Sequence, residues 1–315
     1  MKSRLLSILI LSFLTISCTK SQEVVVKRPA KDSAPIPGSL TDHVFLIGFD
    51  GMASAYFNAE ELPTIKSLME AGCWTMNKRS VRPTSSTPNW TAMFMGAGPD
   101  STGYLDNSNP PKGTPKEVNE NGIFPTINSI LREQYPDSET GAVFEWKNIR
   151  YLLDNKALDY NEWVPDHLMR KKEIANLAVS YIKDYRPRLF TIVYDSPDHE
   201  GHQIGWDSDA YHNKMQFLDG ELARILQAIK DAGIWEESTI IVTSDHGGIG
   251  KSHGGDTQQE SNTPFIIAGK GIRKGGEFQD NMMQYDVAPT IAALFKLERP
   301  QVWEGSPMVQ CFENQ

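Results

Sequence analysis

The chain has 315 residues, 39% of them apolar and 23% charged, with a mean hydropathy of −0.41. This composition supports a folded, core-forming domain and excludes a disordered or fibrous chain. Lys and Arg total 31 against 40 Asp and Glu, a net charge of −9 with no basic run, which argues against a nucleic-acid polymer as partner, because phosphate backbones are bound through Lys and Arg.

Residues 1–17 read as a secretory signal peptide: Lys2 and Arg4 precede an apolar stretch from Leu5 to Ile16 that is too short for a stable membrane span. Thr15-Ile16-Ser17-Cys18 resembles a bacterial lipobox with Thr at the usual Leu position. It predicts a lipid-modified Cys18 and an exported periplasmic or outer-membrane lipoprotein, firmly anchored by several acyl chains, with simple signal cleavage and a free Cys18 as the alternative. Residues 18–40 are polar and Pro-rich, as expected of a flexible tether. Cys73 and Cys311 remain, and an oxidising compartment would allow them to pair; their spacing leaves this open.

Residues 41–315 read as one domain. HVFLIGF (43–49), GAVFEW (141–146), LFTIVY (189–194), TIIVTS (239–244) and PFIIAG (264–269) are predicted strands. Pro63 to Ala71 is a helix with Pro in its first turn and Gly72 at its end, and further helices lie near 125–135, 170–185 and 208–232. Nearly continuous apolar strands separated by helices predict an α/β fold with a mostly parallel sheet covered on both faces. Residues 104–165 are rich in Asn, Pro, Gly and aromatics and read as an insertion or small cap.

Ligands in such sheets collect at the carboxyl ends of the strands. There the sequence places Asp50-Gly51, then Asp195 through Asp198, His199 and His202, then Asp245-His246 followed by His253. One acidic residue at a strand end commonly caps a turn. Three strands delivering Asp and His to one edge suit divalent cations: six ligands hold two ions at three each, with positions left for substrate oxygens. His43, His167, His199 and His212 read as structural or exposed. In the segment from Arg82 to Gly96, Pro88 suits the first turn of a helix, putting Ser86 or Thr87 at its N-terminus. That hydroxyl reads either as a cap or, beside a metal, as a nucleophile.

Together these segments resemble the alkaline phosphatase superfamily, most closely its nucleotide pyrophosphatase/phosphodiesterase branch, over most of residues 43–296. Pro83-Thr84-Ser85-Ser86-Thr87-Pro88-Asn89 matches the family's Pro-Thr-x-Thr-x-Pro-Asn with Ser86 on the nucleophile in place of Thr. Gly103 to Asn107 matches its Gly-x-x-x-Asn, and Pro197-Asp198-His199-Glu200-Gly201-His202 its Pro-Asp-x-x-Gly-His. Pro264 to Gly269 and Asp286 to Thr290 resemble its C-terminal signatures. The resemblance implies an alkaline-phosphatase-like fold and two Zn2+ ions, with Mn2+ or Fe open. One ion would take Asp50, Asp245 and His246 and activate Ser86; the other would take Asp198, His202 and His253 and serve the hydrolytic water or a phosphoryl oxygen. Asn107 would donate a hydrogen bond to a substrate phosphoryl oxygen.

The expected activity is hydrolysis of phosphodiesters or pyrophosphates through a phosphoseryl intermediate. Phosphomonoesters are the alternative substrates, for which Arg82, Lys147 and Arg150 are candidate charge partners. A sulfatase needs Cys/Ser-x-Pro-x-Arg, and Trp90 stands at the Arg position of Ser86-Thr87-Pro88-Asn89-Trp90. Trp90 also replaces the His that commonly follows Pro-Asn in the branch. Phosphoglycerate mutase is a further relative, and a ligand-binding surface lipoprotein on the same scaffold is the alternative that is not an enzyme. Trp74, Trp90, Trp146 and Trp206 read either as core or as a stacking platform.

Overall fold

The computed structural model describes residues 28–31, 33–165 and 173–313. The signal-like segment, Cys18 and His167 lie outside the described residues. Among the described residues no helix is long and apolar enough to cross a membrane.

Eight strands form one sheet: β1 (His43–Phe49), β2 (Cys73–Arg79), β3 (Thr140–Phe144), β4 (Tyr160–Trp163), β5 (Leu189–Tyr194), β6 (Ser238–Thr243), β7 (Asn262–Gly269) and β8 (Gly276–Glu277), in the order β4-β3-β5-β1-β6-β7-β2-β8. The central strand β1 runs parallel to both neighbours, with Ile47 opposite Ile192 and Val242. The sheet is mostly parallel, as expected, except that β7 runs antiparallel to β6 and β2. β2 was not anticipated: CWTMNKR alternates buried and more exposed positions instead of forming an apolar run, and it carries the fully buried Lys78.

The principal helices are α1 (Pro63–Ala71), α2 (Ser86–Met95), α3 (Ile127–Gln134), α4 (Glu173–Tyr185), α5 (Asp198–Gln203), α6 (Asp209–Asp231) and α7 (Val287–Leu294). Strand periodicity divides the core in two. Val44 and Leu46 face a layer built by α2, α3 and α7, whereas Phe45, Ile47 and Phe49 face one built by α1, α4 and α6. Local chemistry sets the helix starts. Pro63 opens α1, Thr126 and Ser129 form a capping box for α3, and the Ser208 hydroxyl accepts from Tyr211 N at the head of α6. Gly72 ends α1 for a reason of space: a Cβ there would lie 2.0 Å from Ile267 O on β7.

Two expected boundaries are corrected. Within 104–165, β3 and β4 are part of the sheet and α3 part of its cover, so the irregular segment is confined to residues 103–126. The described part of the expected tether, residues 28–31 and 33–40, packs on the domain. Arg28 pairs with Glu139, Lys31 with Asp159 at 2.6 Å, and Ile36 is buried. Arg188 explains the docking, since this buried guanidinium needs acceptors and donates to Ala34 O at 2.6 Å. Cys73 and Cys311 are buried free thiols, with the Cys73 sulfur 4.0 Å from Cys311 O.

Candidate active site

The adjacent strands β5, β1 and β6 end at the same edge and deliver the acidic residues there. Asp50 follows β1, Asp245 and His246 follow β6, and Asp198 opens α5 shortly after β5. α5 puts Asp198 and His202 four residues apart, so both face the same side. Asp50 and Asp198 are fastened to each other, Asp198 N donating to Asp50 O at 2.9 Å. This closeness depends on Gly51, which has φ +69 and where a Cβ would fall 2.8 Å from Asp198 Cα. His253 comes from the loop after β6 and is held by Thr84, whose hydroxyl donates to Gly255 O at 2.9 Å and accepts from Gly254 N at 3.0 Å.

Among the described residues two groups have the composition and spacing of metal sites. Asp50, Asp245 and His246 form one, and Asp198, His202 and His253 the other, with the ligand atoms of each group within 4.8 Å of one another. His246 Nε2 lies 3.5 Å from Asp50 Oδ1 and 3.3 Å from Asp245 Oδ2; Asp198 faces His202 Nε2 at 3.4 Å and His253 Nε2 at 3.6 Å. The groups adjoin, the His246 and His253 rings stacking at 3.8 Å between centroids. All six residues expected as ligands from the sequence are brought together.

Each imidazole has its Nδ1 against a backbone carbonyl: His202 on Lys251 O at 3.0 Å, His246 on Gly247 O and His253 on Thr84 O, both at 2.8 Å. That assigns the proton to Nδ1 and turns a lone pair on Nε2 toward the group centre, the arrangement of a metal-ligating histidine. The carboxylates show the same division of labour. Asp50 Oδ2 accepts from Trp90 Nε1 at 2.9 Å and Asp245 Oδ1 from Gly51 N at 3.1 Å, while Asp50 Oδ1, Asp245 Oδ2 and Asp198 Oδ1 are buried without a hydrogen-bond partner. Buried, unpartnered carboxylate oxygens are costly unless a cation meets them. Burial and mutual repulsion push the Asp50 and Asp198 carboxyls well above the usual range, and burial holds the His246 and His253 imidazoles down at about 3. Neutral imidazoles and crowded carboxylates are what a divalent cation binds, and the donor set fits zinc.

Ser86 is the first residue of α2, and its Oγ lies 3.2 Å from His246 Nε2. The expected alternative role as a cap does not arise, since the N-cap is Ser85 and its side chain makes no capping bond. Thr87 is fully buried, and its hydroxyl has no partner. Asn107 lies beside this turn, its Oδ1 accepting from Thr87 N at 2.8 Å. That bond fixes the amide orientation and leaves Nδ2 as the outward donor end. Asn89 shapes the approach to Ser86: its Nδ2 donates to Val81 O, Pro83 O and Ser85 O, and its Oδ1 accepts from Val81 N.

Sequence reasoning missed the supporting residues. Trp90 and Trp206 are buried, and each indole N–H holds the site, Trp90 on Asp50 and Trp206 on Gly51 O at 2.9 Å. Trp74 and Trp146 are partly buried against the two cores. None of these signals stands out in a sequence, since an indole donor has no characteristic spacing. Asp195 belongs to neither triad; its N–H donates to Glu145 Oε2 at 2.9 Å, and burial raises both carboxyls to about 7. His43 bonds Pro187 O, and His212 packs edge-on to Tyr211; neither belongs to a triad.

Comparison with known proteins identifies the fold and the family. A bis(5'-adenosyl)-triphosphatase, ENPP4 of Pongo abelii, is 24% identical over 217 residues, 66% of this chain and 48% of that protein. The chain thus spans about half the length of this relative. Human ectonucleotide pyrophosphatase/phosphodiesterase 5 shares the fold with a TM-score of 0.68 at 16% identity, over 84% of this chain and 97% of that one. A 2-O GAG sulfatase shares it at 0.70 and 16%, over 85% and 73%. The model of the type I phosphodiesterase / nucleotide pyrophosphatase family matches residues 44–259, and the chain belongs to that family.

Proposed function

We propose that the chain hydrolyses phosphate esters, most readily phosphodiesters or pyrophosphate bonds, in two steps through Ser86. The observation that carries this reading is Ser86 Oγ standing 3.2 Å from His246 Nε2, at a helix N-terminus beside two triads whose facing carboxylate oxygens are orphaned. Two Zn2+ ions held by Asp50, Asp245 and His246 and by Asp198, His202 and His253 would neutralise phosphoryl charge and acidify a hydroxyl or a water.

Ser86 Oγ gives its proton to solvent and attacks phosphorus in line, and the bond to the leaving oxygen, which takes up a proton from solvent, breaks as the Ser86–phosphorus bond forms. Asn107 Nδ2 donates to an equatorial oxygen, and the α2 N-terminus favours the charge gathering there. Water then attacks the phosphoseryl group from the vacated side, returning the Ser86 hydroxyl. This also answers how a chain of net charge −9 handles an anion. The buried indole of Trp90, bonded to Asp50, occupies the place a sulfatase gives to Arg, so the shared fold does not extend to that chemistry.

The test is turnover of bis(p-nitrophenyl) phosphate, p-nitrophenyl phosphate and p-nitrophenyl sulfate by zinc-loaded protein. We expect the diester to be cleaved fastest and the sulfate not at all. No phosphate-ester turnover with both triads filled would overturn the reading.

A further inference from the structure

We infer that Glu260 is a positioning residue: its buried carboxylate, itself no ligand, holds the loop that carries His253 and so sets how tightly the second triad binds its ion. The inference rests on the two-ion part of the hydrolase reading above. Glu260 lies in the short helix Gln258–Ser261, directly before β7, and is 6% exposed. That helix is fastened to the sheet, Ser80 N donating to Ser261 O at 2.8 Å. The loop it faces is open to water at Ser252 and from Gly255 to Thr257.

A carboxylate withdrawn from water needs a cation or a full set of donors. Among the described residues no Lys or Arg pairs with Glu260. Its donors come from the loop instead. Oε1 accepts from Gly255 N at 2.7 Å, and Oε2 accepts from Thr257 N at 3.1 Å and Thr257 Oγ at 2.6 Å. Gly255 stands two residues from His253, and Thr84 takes the groups on either side of that contact, Gly254 N and Gly255 O. The loop is thus gripped from the nucleophile segment by Thr84 and from the sheet by Glu260. A third tie, Arg82 to Asp256 at 3.1 Å, is exposed at both ends and holds little.

The backbone of the same residue reaches the first triad, Glu260 O accepting from Gly247 N at 2.8 Å beside His246. That bond does not involve the side chain. Truncating Glu260 therefore acts on the second triad: a loop with two consecutive glycines beside its ligand loses one clamp, and the ion must order it on binding.

Competition with a chromophoric chelator for zinc tests this. Glu260→Ala should weaken one of two zinc equivalents about 10- to 100-fold, the cost of losing a ligand's supporting partner, and the other less than about threefold. Glu260→Gln keeps the volume and one oxygen but sets an amide NH2 against N–H donors, so its effect should fall between. Gly255→Ala, whose Cβ would stand 2.7 Å from Glu260 Oε2, should weaken the same equivalent. His253→Ala identifies that equivalent, and in its background Glu260→Ala should cost the remaining ion nothing further. In metal-free Glu260→Ala, amide hydrogen exchange should quicken over residues 253–257 and stay slow in β7. Equal weakening of both equivalents, no weakening, or a further loss in the His253→Ala background would overturn the positioning role and leave the hydrolase reading standing. The expected split in a protein that turns over no phosphate ester would overturn the hydrolase reading and leave the positioning role standing. Wild-type protein that binds fewer than two zinc ions would overturn both.

Discussion

Replacing Trp90 with Phe tests the metal reading at a residue whose bond to Asp50 no spacing in the chain discloses. The indole N–H reaches Asp50 Oδ2 at 2.9 Å, and both side chains are buried, at 0% and 1% exposure. Phe keeps an aromatic ring but removes the donor, leaving that oxygen as bare as Oδ1 already is. A hydrogen bond to a charged group contributes about 1.5–3 kcal/mol. At 1.4 kcal/mol per decade, this corresponds to a roughly 10–150-fold weaker first ion, close to the ~10–100-fold cost of losing a ligand's supporting partner. Lost volume lowers metal-free stability as well, by about 1–3 kcal/mol for a partial core truncation. Stability alone is therefore not the readout. Competition with a chromophoric chelator should show one of two zinc equivalents weakened 10- to 100-fold and the other changed less than about threefold, with turnover recovered at high zinc. Equal weakening of both, or of neither, would refute the assignment of Asp50 as a ligand positioned by Trp90.

Three other outcomes follow from the same geometry, and one from the sequence. Ser86→Ala should retain two zinc equivalents by metal analysis while kcat falls about a thousandfold or more, and the phosphoserine detectable in the wild type by mass spectrometry during turnover should vanish. Asn107→Ala should lower kcat/KM by about 10- to 100-fold, the cost of one transition-state donor, with zinc content unchanged. Metal-free protein should lose thermal stability as pH rises from about 4.5 toward 7. There the raised Asp50 and Asp198 carboxyls, with Glu145 and Asp195 at about 7, still hold protons that the unfolded chain has lost, and ionising them in the fold is unfavourable. Between about pH 3 and 6.5, His246 and His253, held at about 3, act in the opposite sense and offset part of this loss, because the unfolded chain binds protons that the fold refuses. Zinc should flatten the upper limb in a pH series of melting temperatures; a limb unchanged by zinc would speak against ions at these carboxylates. Finally, Cys18→Ala should move the protein from the membrane fraction to the soluble fraction, and unchanged fractionation would remove the lipid anchor expected from Thr15-Ile16-Ser17-Cys18.

The strands legible in advance were those that neighbours cover on both faces. β1 and β5 are runs of Val, Ile, Leu and Phe that water cannot reach, and their bounds were read to the residue. β2 and β4 were not, because CWTMNKR and YNEW sit toward the sheet edges, where half-exposed positions interrupt the apolar pattern. The same logic misplaced residues 28–40. A polar, Pro-rich stretch reads as a tether, yet residues 28–31 and 33–40 dock, where Arg188 donates to Ala34 O and Arg28 pairs with the buried Glu139.

The site divides in the same way. Asp50, Asp198, His202, Asp245, His246 and His253 could be named from the sequence because parallel strands release their ends at one edge and because the family resemblance picks them from neighbours such as Asp195 and His199. Which hydroxyl of Ser85, Ser86 and Thr87 turns toward His246 depends on where α2 begins relative to β6, and that distance is set by packing. Likewise, Trp90 reaching across to Asp50 and Lys147 with Arg150 gathering over Trp163 are contacts between residues far apart in the chain. Residue type determines what a side chain is able to bind; only the folded arrangement determines what stands within its reach.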